Sequence, residues 1–533
     1  MTRTVVIGGG IAGLATAGLL AREGHEVVVL ERLERFGGRV GTVERNGFRF
    51  DTGPSWYLMP GVFDRFFSLM GTSTSEQLDL HDLDPAYRVF QEPGPDGGAP
   101  LPVTIPRGRE RVIAAFESLE SGSGHTLTTY LDSARTTTAM AERFFLYNPF
   151  TRLRSLLNRQ VLGSLPKLAQ LLLTPLDTYV ARRFQNPVLR QILGYPAVFL
   201  GTAPSAAPAM YHLMSTLDLD EGVQYPMGGF SELVERIEAL ARDAGATLIS
   251  SAEVTAITTD RDGESRSSRR PSVTGVRWRD AHGEVHFTAA DLVVSGADLH
   301  HTETTLLETA NQSYPEQWWT KRTSGPGAVI VLLGVRGELP ELPHHSLFFT
   351  QDWQHNFDAI FGGHPSIPDP ASIYVCKPSA TDPSVAPPGH ENLFVLVPIP
   401  ADPDIGAGGA DGDGDPRIEQ AADAAIDQIA QWSGVTDLQD RIVLRHTLGP
   451  ADFARDYHSW QGGMLGPAHI LRQSAMFRPQ NASPRVEGLY YAGGTTSPGV
   501  GVPMCLISAE LVLKHVRGDH SAGPTHAGPE AKR

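Results

Sequence analysis

Short, nearly continuous apolar runs punctuate this chain and predict strands buried on both faces. They are Thr4-Val5-Val6-Ile7, Val27-Val28-Val29-Leu30 and Leu292-Val293-Val294-Ser295. Each stops at a polar or glycine-rich junction: Gly8 to Gly13, Glu31, and Gly296-Ala297-Asp298. A helical run separates the first two. Residues 85–110 read as short strands broken by Pro93 to Gly98, and 110–220 as mainly helical with breaks at Pro149, Pro166, Pro175 and Pro187. Pro226-Met227-Gly228-Gly229-Phe230 turns the chain into a helix over 231–244, capped by Gly245, before a strand at 246–250. Hairpin strands at 253–258 and 273–279 flank a polar, solvent-facing loop from Asp260 to Ser272. Apolar alternation returns in β-rich segments between 310 and 400, such as Ala328 to Leu333 and Leu393 to Val397. Asp402 to Pro416 predicts a flexible surface insert, 417–432 a helix, and Arg517 to Arg533 a disordered tail.

Length and composition narrow the class. At 533 residues the chain is long for one core, so two intimately joined domains are expected. Hydrophobic content of 41% with 20% charge is that of a globular protein. Residues 4–21 are apolar enough to suggest a signal peptide or a membrane span. Against that, the stretch is dense in glycine, only Arg3 precedes it, and Arg22 and Glu23 follow at once. Two distant cysteines, Cys376 and Cys505, suit a reducing cytoplasm and form no zinc motif. The sequon at Asn481 is read as chance. Asp411-Gly412-Asp413-Gly414-Asp415 lacks the glycine and glutamate of a calcium loop, and no metal is expected.

A net charge of −16 argues against a nucleic-acid partner. It hides a reversal: Arg143 to Arg190 holds eight Arg/Lys against one acid, Asp177. Apolar runs interleave these cations, as in a segment lying on an anionic membrane, or in a core helix pair with a solvated basic face.

The candidate chemistry lies at the two ends. Gly8 allows a tight turn, Gly10 lets backbone touch a pyrophosphate, and Gly13 lets the helix pack on the sheet. Glu31, ending the second strand, can accept from ribose hydroxyls and disfavours a 2′-phosphate. Gly37-Gly38-Arg39 and Gly47 to Pro54 follow. Near the other end, Gly488 to Cys505 is again strand, glycine turn, helix. Gly493 and Gly494 permit close backbone approach, and Val502-Pro503-Met504 opens a helix whose amides can face developing negative charge.

These motifs, with Pro226 to Phe230, Thr381 to Pro387, Gln473 to Pro479 and Gly493 to Pro503, resemble the bacterial phytoene desaturase family. That is a family of FAD-dependent carotenoid oxidoreductases within the amine-oxidase-like flavoproteins. The resemblance implies an α/β fold: a Rossmann-type FAD-binding domain discontinuous in sequence (1–80, 225–300, 451–516), a mixed β-sheet substrate domain (81–142, 301–450), and a helical, membrane-docking segment (143–224). The implied cofactor set is Gly8, Gly10, Gly13, Glu31, Arg32, Gly38, Arg39, Val254, Gly493, Gly494, Val502, Pro503 and Met504. Of these, Glu31 would hold the adenosine ribose, Arg39 the phosphates and Val254 the adenine through its backbone. The implied reaction takes phytoene towards lycopene by hydride transfer to flavin, in a hydrophobic tunnel. The implied partners are a lipid-soluble carotenoid, a quinone or oxygen as acceptor, and a membrane surface that the protein meets peripherally from the cytoplasm. A carotene ketolase or isomerase, a non-catalytic prenyl-escort protein, and an amine oxidase with an aromatic cage at Tyr490 and Tyr491 are the alternatives. No catalytic acid or base is assigned. His212, Tyr211, Asp452, Asp456 and His458 lie near family-like segments, and His300 and His301 are expected to be surface or core residues.

Overall fold

The computed structural model describes residues 1–96, 98–151, 159–260 and 270–525, and for 159–162, 164 and 165 the backbone alone. The three continuous apolar runs form neighbouring strands of one five-stranded sheet. Its order is Leu489–Tyr491, Leu292–Ser295, Arg3–Ile7, Glu26–Leu30, Thr247–Ile249, and every pairing is parallel. Strands far apart in sequence are therefore side by side: Val5 pairs with both Val293 and Val28. Parallel strands covered on both faces need apolar side chains at successive positions, which explains the absence of alternation.

The helix Ile11–Arg22 is buried at every position from Ile11 to Ala21. It packs between the helices Phe230–Asp243 and Val502–Arg517. A helix enclosed this way has no polar face to keep, which is why it resembled a membrane segment. Among the described residues no helix is long and apolar enough to cross a membrane.

A second sheet of seven strands carries the β-rich segments. Its order is Ile442–Leu448, Gly327–Arg336, His390–Ile399, Ile373–Cys376, His345–Phe349, Tyr87–Gln91, Val103–Ile105. All pairs are antiparallel except His345–Phe349 with Tyr87–Gln91. Its period of two divides the interior. Val329, Val331 and Leu333 pack in one cluster with Ile418, Ile426 and Ile429 of the helix Pro416–Ser433. Ala328, Ile330 and Leu332 join Leu347, Phe349 and Phe394 in another, beneath the helices of residues 109–199.

Several expectations change. The tail was expected to be disordered from Arg517, but up to Thr525 it is docked: the Lys514 ammonium donates to the carbonyls of Ser521 (2.6 Å) and Gly523 (2.7 Å), and Thr525 is buried. A short polar stretch can be held when a buried cation needs acceptors. Residues 526–533 lie outside the described residues. The insert Asp402–Pro416 is not a free loop. Gly408 N–H donates to Asp452 (2.7 Å), Thr447 N–H to Gly409 O (2.8 Å), and Asp411 pairs with Arg45. Asp402 and Asp415 accept from local amides, and Asp411 from an arginine.

Among the described residues, the basic, apolar segment 143–190 is partly core. Leu171, Leu176, Val180, Phe184 and Leu189 are buried in the cluster beneath the second sheet, while Leu173 is 76% exposed. Of the eight cations behind the membrane-docking expectation, Arg152, Arg154 and the side chain of Arg159 lie outside the described residues, as does most of the 260–272 loop. Asn481 is fully buried, its amide donating to Tyr491 O (3.1 Å) and Ser497 O (2.9 Å), so the sequon is an internal tether.

Candidate active site

One cavity of about 680 Å³ runs from the glycine turns of the parallel sheet to the apolar face of the mixed sheet. The cradle end is built by three loops that leave the carboxyl ends of parallel strands, the place where such sheets hold ligands. Gly8 adopts φ +90°, a turn open to glycine, and leads into the helix Ile11–Arg22. Gly10 and Gly13 then do opposite things. A Cβ on Gly13 would lie 2.0 Å from Gly8 O, so its bareness is a packing requirement. A Cβ on Gly10 would meet no protein atom closer than 3.7 Å, and Gly10 lines the cavity. The helix has no side-chain cap and no acid in its first turn, nor has Val502–Arg517. Both therefore present unpaired amides and positive dipole ends where a phosphate or an electron-rich ring edge would sit.

Glu31 is 7% exposed and accepts from Gly9 N–H (2.6 Å) and Leu33 N–H (2.8 Å). Burial raises its pKa, and these amides work against that shift. Each carboxylate oxygen retains a lone pair for a sugar hydroxyl. Arg39 is held by Asp298 (3.2 Å) and Ser459 Oγ (2.9 Å), with its side chain 30% exposed at the cavity. Arg32 also borders the cavity, but its guanidinium donates to the Arg455 and Asp456 carbonyls. Val254 borders it from the strand Glu253–Thr259. Gly38, Gly493, Gly494, Val502, Pro503 and Met504 line the same space, and Gly13 alone of the expected set stays behind the wall. A Cβ on Gly493 or Gly494 would meet no protein atom closer than 3.6 Å, so open space adjoins both, and Gly493 also takes φ +127°, which favours glycine. The cradle fits a dinucleotide with a flat ring at the Gly493–Gly501 turn.

The other arm is apolar and aromatic. Trp56, Tyr195, Phe199 and Phe349 border it, with Trp353, Phe357, Ile360 and Phe361 further along. Trp56 stacks on His345 with ring centroids 4.8 Å apart. The Tyr374 hydroxyl lies 2.6 Å from Ser55 Oγ and 2.8 Å from His345 Nδ1, whereas Trp56 Nε1, the Tyr195 hydroxyl and His345 Nε2 are buried without a hydrogen-bond partner. Sequence reasoning missed this wall. Trp56, two residues past Gly53-Pro54, was its only local signal.

The residues considered for acid–base work divide. His212 is buried against Ser133 Oγ (3.0 Å) and Ala209 O (2.9 Å), and burial lowers it to about 4, a neutral core imidazole. Asp452 accepts from Gly408 and Gly449 amides and organises a loop. Tyr211, Asp456 and His458 border the cavity. His458 stacks on His301 with centroids 3.8 Å apart, and His300 sits 2.8 Å from Glu316. Tyr490 and Tyr491 do not line the cavity. The Tyr491 hydroxyl bonds Glu303, and Tyr490 packs beside His515, so they form no amine cage.

Known proteins place this architecture. The family described as flavin containing amine oxidoreductase matches residues 11–512. The carotenoid 3,4-desaturase of Haloarcula japonica is 40% identical over 95% of this chain and 96% of its own. The zeta-carotene-forming phytoene desaturase of Myxococcus xanthus is 32% identical over 96% and 93%. Among solved structures, a putrescine oxidase has a TM-score of 0.59 at 12% identity, covering 97% of this chain and 99% of its own. A Rab GDI of Plasmodium falciparum has a TM-score of 0.51 at 13% identity, covering 98% and 99%, and shares the fold alone. The chain belongs to the flavin-containing amine oxidoreductases, among the FAD-dependent carotenoid desaturases, and is an FAD-dependent oxidoreductase acting on CH–CH groups.

Proposed function

We propose that this enzyme desaturates a carotenoid held in the aromatic arm of the cavity, and that the new bond enters at the 3,4 position. The observation that carries the reading is continuity: the glycine cradle and the apolar arm are one space, so a hydrocarbon in the arm can reach a ring in the cradle. The 3,4 position follows the 40% identical relative. A substrate without polar handles must be recognised by area and shape, and burial at about 25 cal/mol per Å² is sufficient for binding. When bound, the flavin supplies the two-electron acceptor. The chain's own part is to enclose the hydrocarbon in the apolar arm, to keep water out, and to hold the cofactor through the Gly8–Gly13, Glu31–Arg39 and Gly493–Met504 loops. On this reading residues 1–80, 225–300 and 451–516 serve mainly the cofactor, and 81–142 with 301–450 the substrate, joined by Trp56 and by Tyr195 and Phe199 of the 143–224 segment.

Phytoene, desaturated towards lycopene, is the second reading, favoured by the 32% identical relative. Anaerobic incubation of the yellow holoprotein with a quinone and either phytoene, lycopene or β-carotene separates the cases. Lycopene converted to a product two mass units lighter supports the 3,4 reading. Consumption of phytoene supports the second. Oxygen added to β-carotene would point to a ketolase, and no turnover of any of the three would sink desaturation.

The same proposal includes a membrane as the source of substrate and a quinone or oxygen as the final acceptor. Leu471, Met476 and Phe477 are exposed yet border the cavity, close to exposed Arg472. Apolar side chains beside a cation suit an anionic lipid surface. Flotation with anionic liposomes should fall for Met476→Ser combined with Phe477→Ser; equal flotation of variant and wild type would remove the membrane.

A further inference from the structure

Arg478, from the Gln473–Pro479 stretch, is 2% exposed. Its Nε donates to Thr496 O (2.9 Å), Nη2 to Gly494 O (2.7 Å), and Nη1 to Pro467 O (3.4 Å) and Gln473 O (3.5 Å). Every partner is a backbone carbonyl. Among the described residues no carboxylate forms an ion pair with it. Burial lowers its pKa to about 10, so it still carries charge at neutral pH. The titratable neighbours do not balance it. Burial keeps Tyr211 protonated and His469 neutral.

This arrangement is costly. Carbonyl dipoles satisfy the N–H groups but leave a net positive charge in a dry interior, where an uncompensated ion is penalised heavily. Two of its acceptors, Gly494 and Thr496, belong to the turn that lines the cavity and leads to the uncapped helix Val502–Arg517. The dipole of that helix and the guanidinium act with the same sign on the same place.

We propose that Arg478 is the fixed counter-charge for the negative charge a flavin takes up on reduction, set behind the Gly493–Gly501 turn, and that it raises the cofactor's reduction potential. The proposal rests on the flavin ring lying against that turn. It makes Arg478 a positioning charge that touches neither substrate nor cofactor. It also gives a reason for the unpaired ion: the oxidised state bears the cost, and reduction relieves it. A hydrocarbon is a poor electron donor, so an enzyme that must oxidise one gains from such a bias.

A purely structural role, fastening the 467, 473 and 494–496 backbones, predicts different behaviour. The test uses FAD-loaded wild type, Arg478→Lys, Arg478→Gln and Arg478→Met. It reads the reduction potential of the bound flavin and its affinity for sulfite, whose adduct places similar negative charge on the ring. A unit charge acting through an effective dielectric of about 20 shifts such an equilibrium by roughly tenfold to a hundredfold. Gln and Met should therefore weaken both reduction and sulfite binding by that factor, about 30–60 mV for a two-electron couple. Lys, which loses the fork of carbonyl bonds but keeps the charge, should stay within about threefold of wild type. Wild-type potential in Gln or Met overturns the proposal, and so does a Lys variant that falls as far as Met. If neither neutral variant folds, a fall of about tenfold or more in the Lys variant overturns the proposal. Absorbance near about 450 nm in the wild type reads cofactor binding separately, so a colourless wild type would break the flavin placement while an unshifted yellow variant breaks only the role of Arg478.

Discussion

The two sheets meet at one cavity yet specify their halves of it differently. On the proposed reading the parallel sheet works through backbone: three turns approach one space, Gly13 is fixed by a contact with Gly8 O, and Gly10, Gly493 and Gly494 leave room for a ligand. On the same reading the mixed sheet works through side-chain area, Phe349, Phe394 and Leu396 giving the arm its width and dryness together with Trp353 of the helix Trp353–Phe361. Area is a sum, and many residue combinations produce the same sum. The cradle should therefore fail at single atoms, whereas the arm should degrade gradually.

The sharpest break lies inside the cradle. Gly13→Ala would place a methyl 2.0 Å from Gly8 O, and neither backbone can yield without displacing strand or helix. We expect a loss of about 3 kcal/mol or more of stability, read as a large drop in the midpoint of urea unfolding. Gly10→Ala should separate fold from cofactor. Its φ of −73° suits alanine and the new methyl meets no protein atom closer than 3.7 Å. Unfolding should be nearly unchanged while FAD affinity falls about a hundredfold, about 2.7 kcal/mol. If Gly10→Ala binds FAD normally, the pyrophosphate does not pass there.

This contrast explains what was legible in the sequence. The Gly8–Gly13 spacing, Glu31 and the far glycine turn could be placed because each demands a particular residue at a fixed distance from a strand end. The parallel pairing of Arg3–Ile7 with Leu292–Ser295 was not legible, because nothing local encodes a partner nearly three hundred positions away. The aromatic arm was invisible for a related reason: Trp56, Tyr195, Phe349 and Tyr374 come from four separate elements and look individually like core. Arg478 was inside a recognised stretch, but a lone arginine in a loop gives no sign that it is buried without a carboxylate. The tail misled because composition reports on polarity, while docking at Lys514 depends on a buried ammonium found only in the fold.

The core behind the arm has its own point of fragility in acid, where His212 packs against Tyr130 and Tyr179. His212, packed beneath the mixed sheet, is lowered to about 4 by burial. An imidazole depressed in the fold binds its proton more readily when unfolded. Its contribution is fully present above the unfolded value of about 6.5 and is lost as pH falls towards 4. Wild type should lose roughly 2 kcal/mol through this group between pH 7 and pH 4.5. His212→Gln removes the titration, so its stability deficit relative to wild type should shrink by that amount over the same interval. A deficit that stays constant would mean that the imidazole titrates normally.

The smallest effect is the most telling for the comparison. Phe349 is 2% exposed, ends the strand His345–Phe349 and borders the arm. Phe349→Leu keeps an apolar side chain of similar reach, and swaps of this kind cost less than about 1.5 kcal/mol. FAD affinity should not move, because no cradle atom changes. The KM for a carotenoid should rise less than about tenfold, with kcat nearly preserved, since the lost contact is made equally before and during reaction. A large fall in kcat with unchanged KM would contradict this. It would mean that the ring holds the CH–CH unit in register with the cofactor, and that the arm is specified atom by atom as the cradle is.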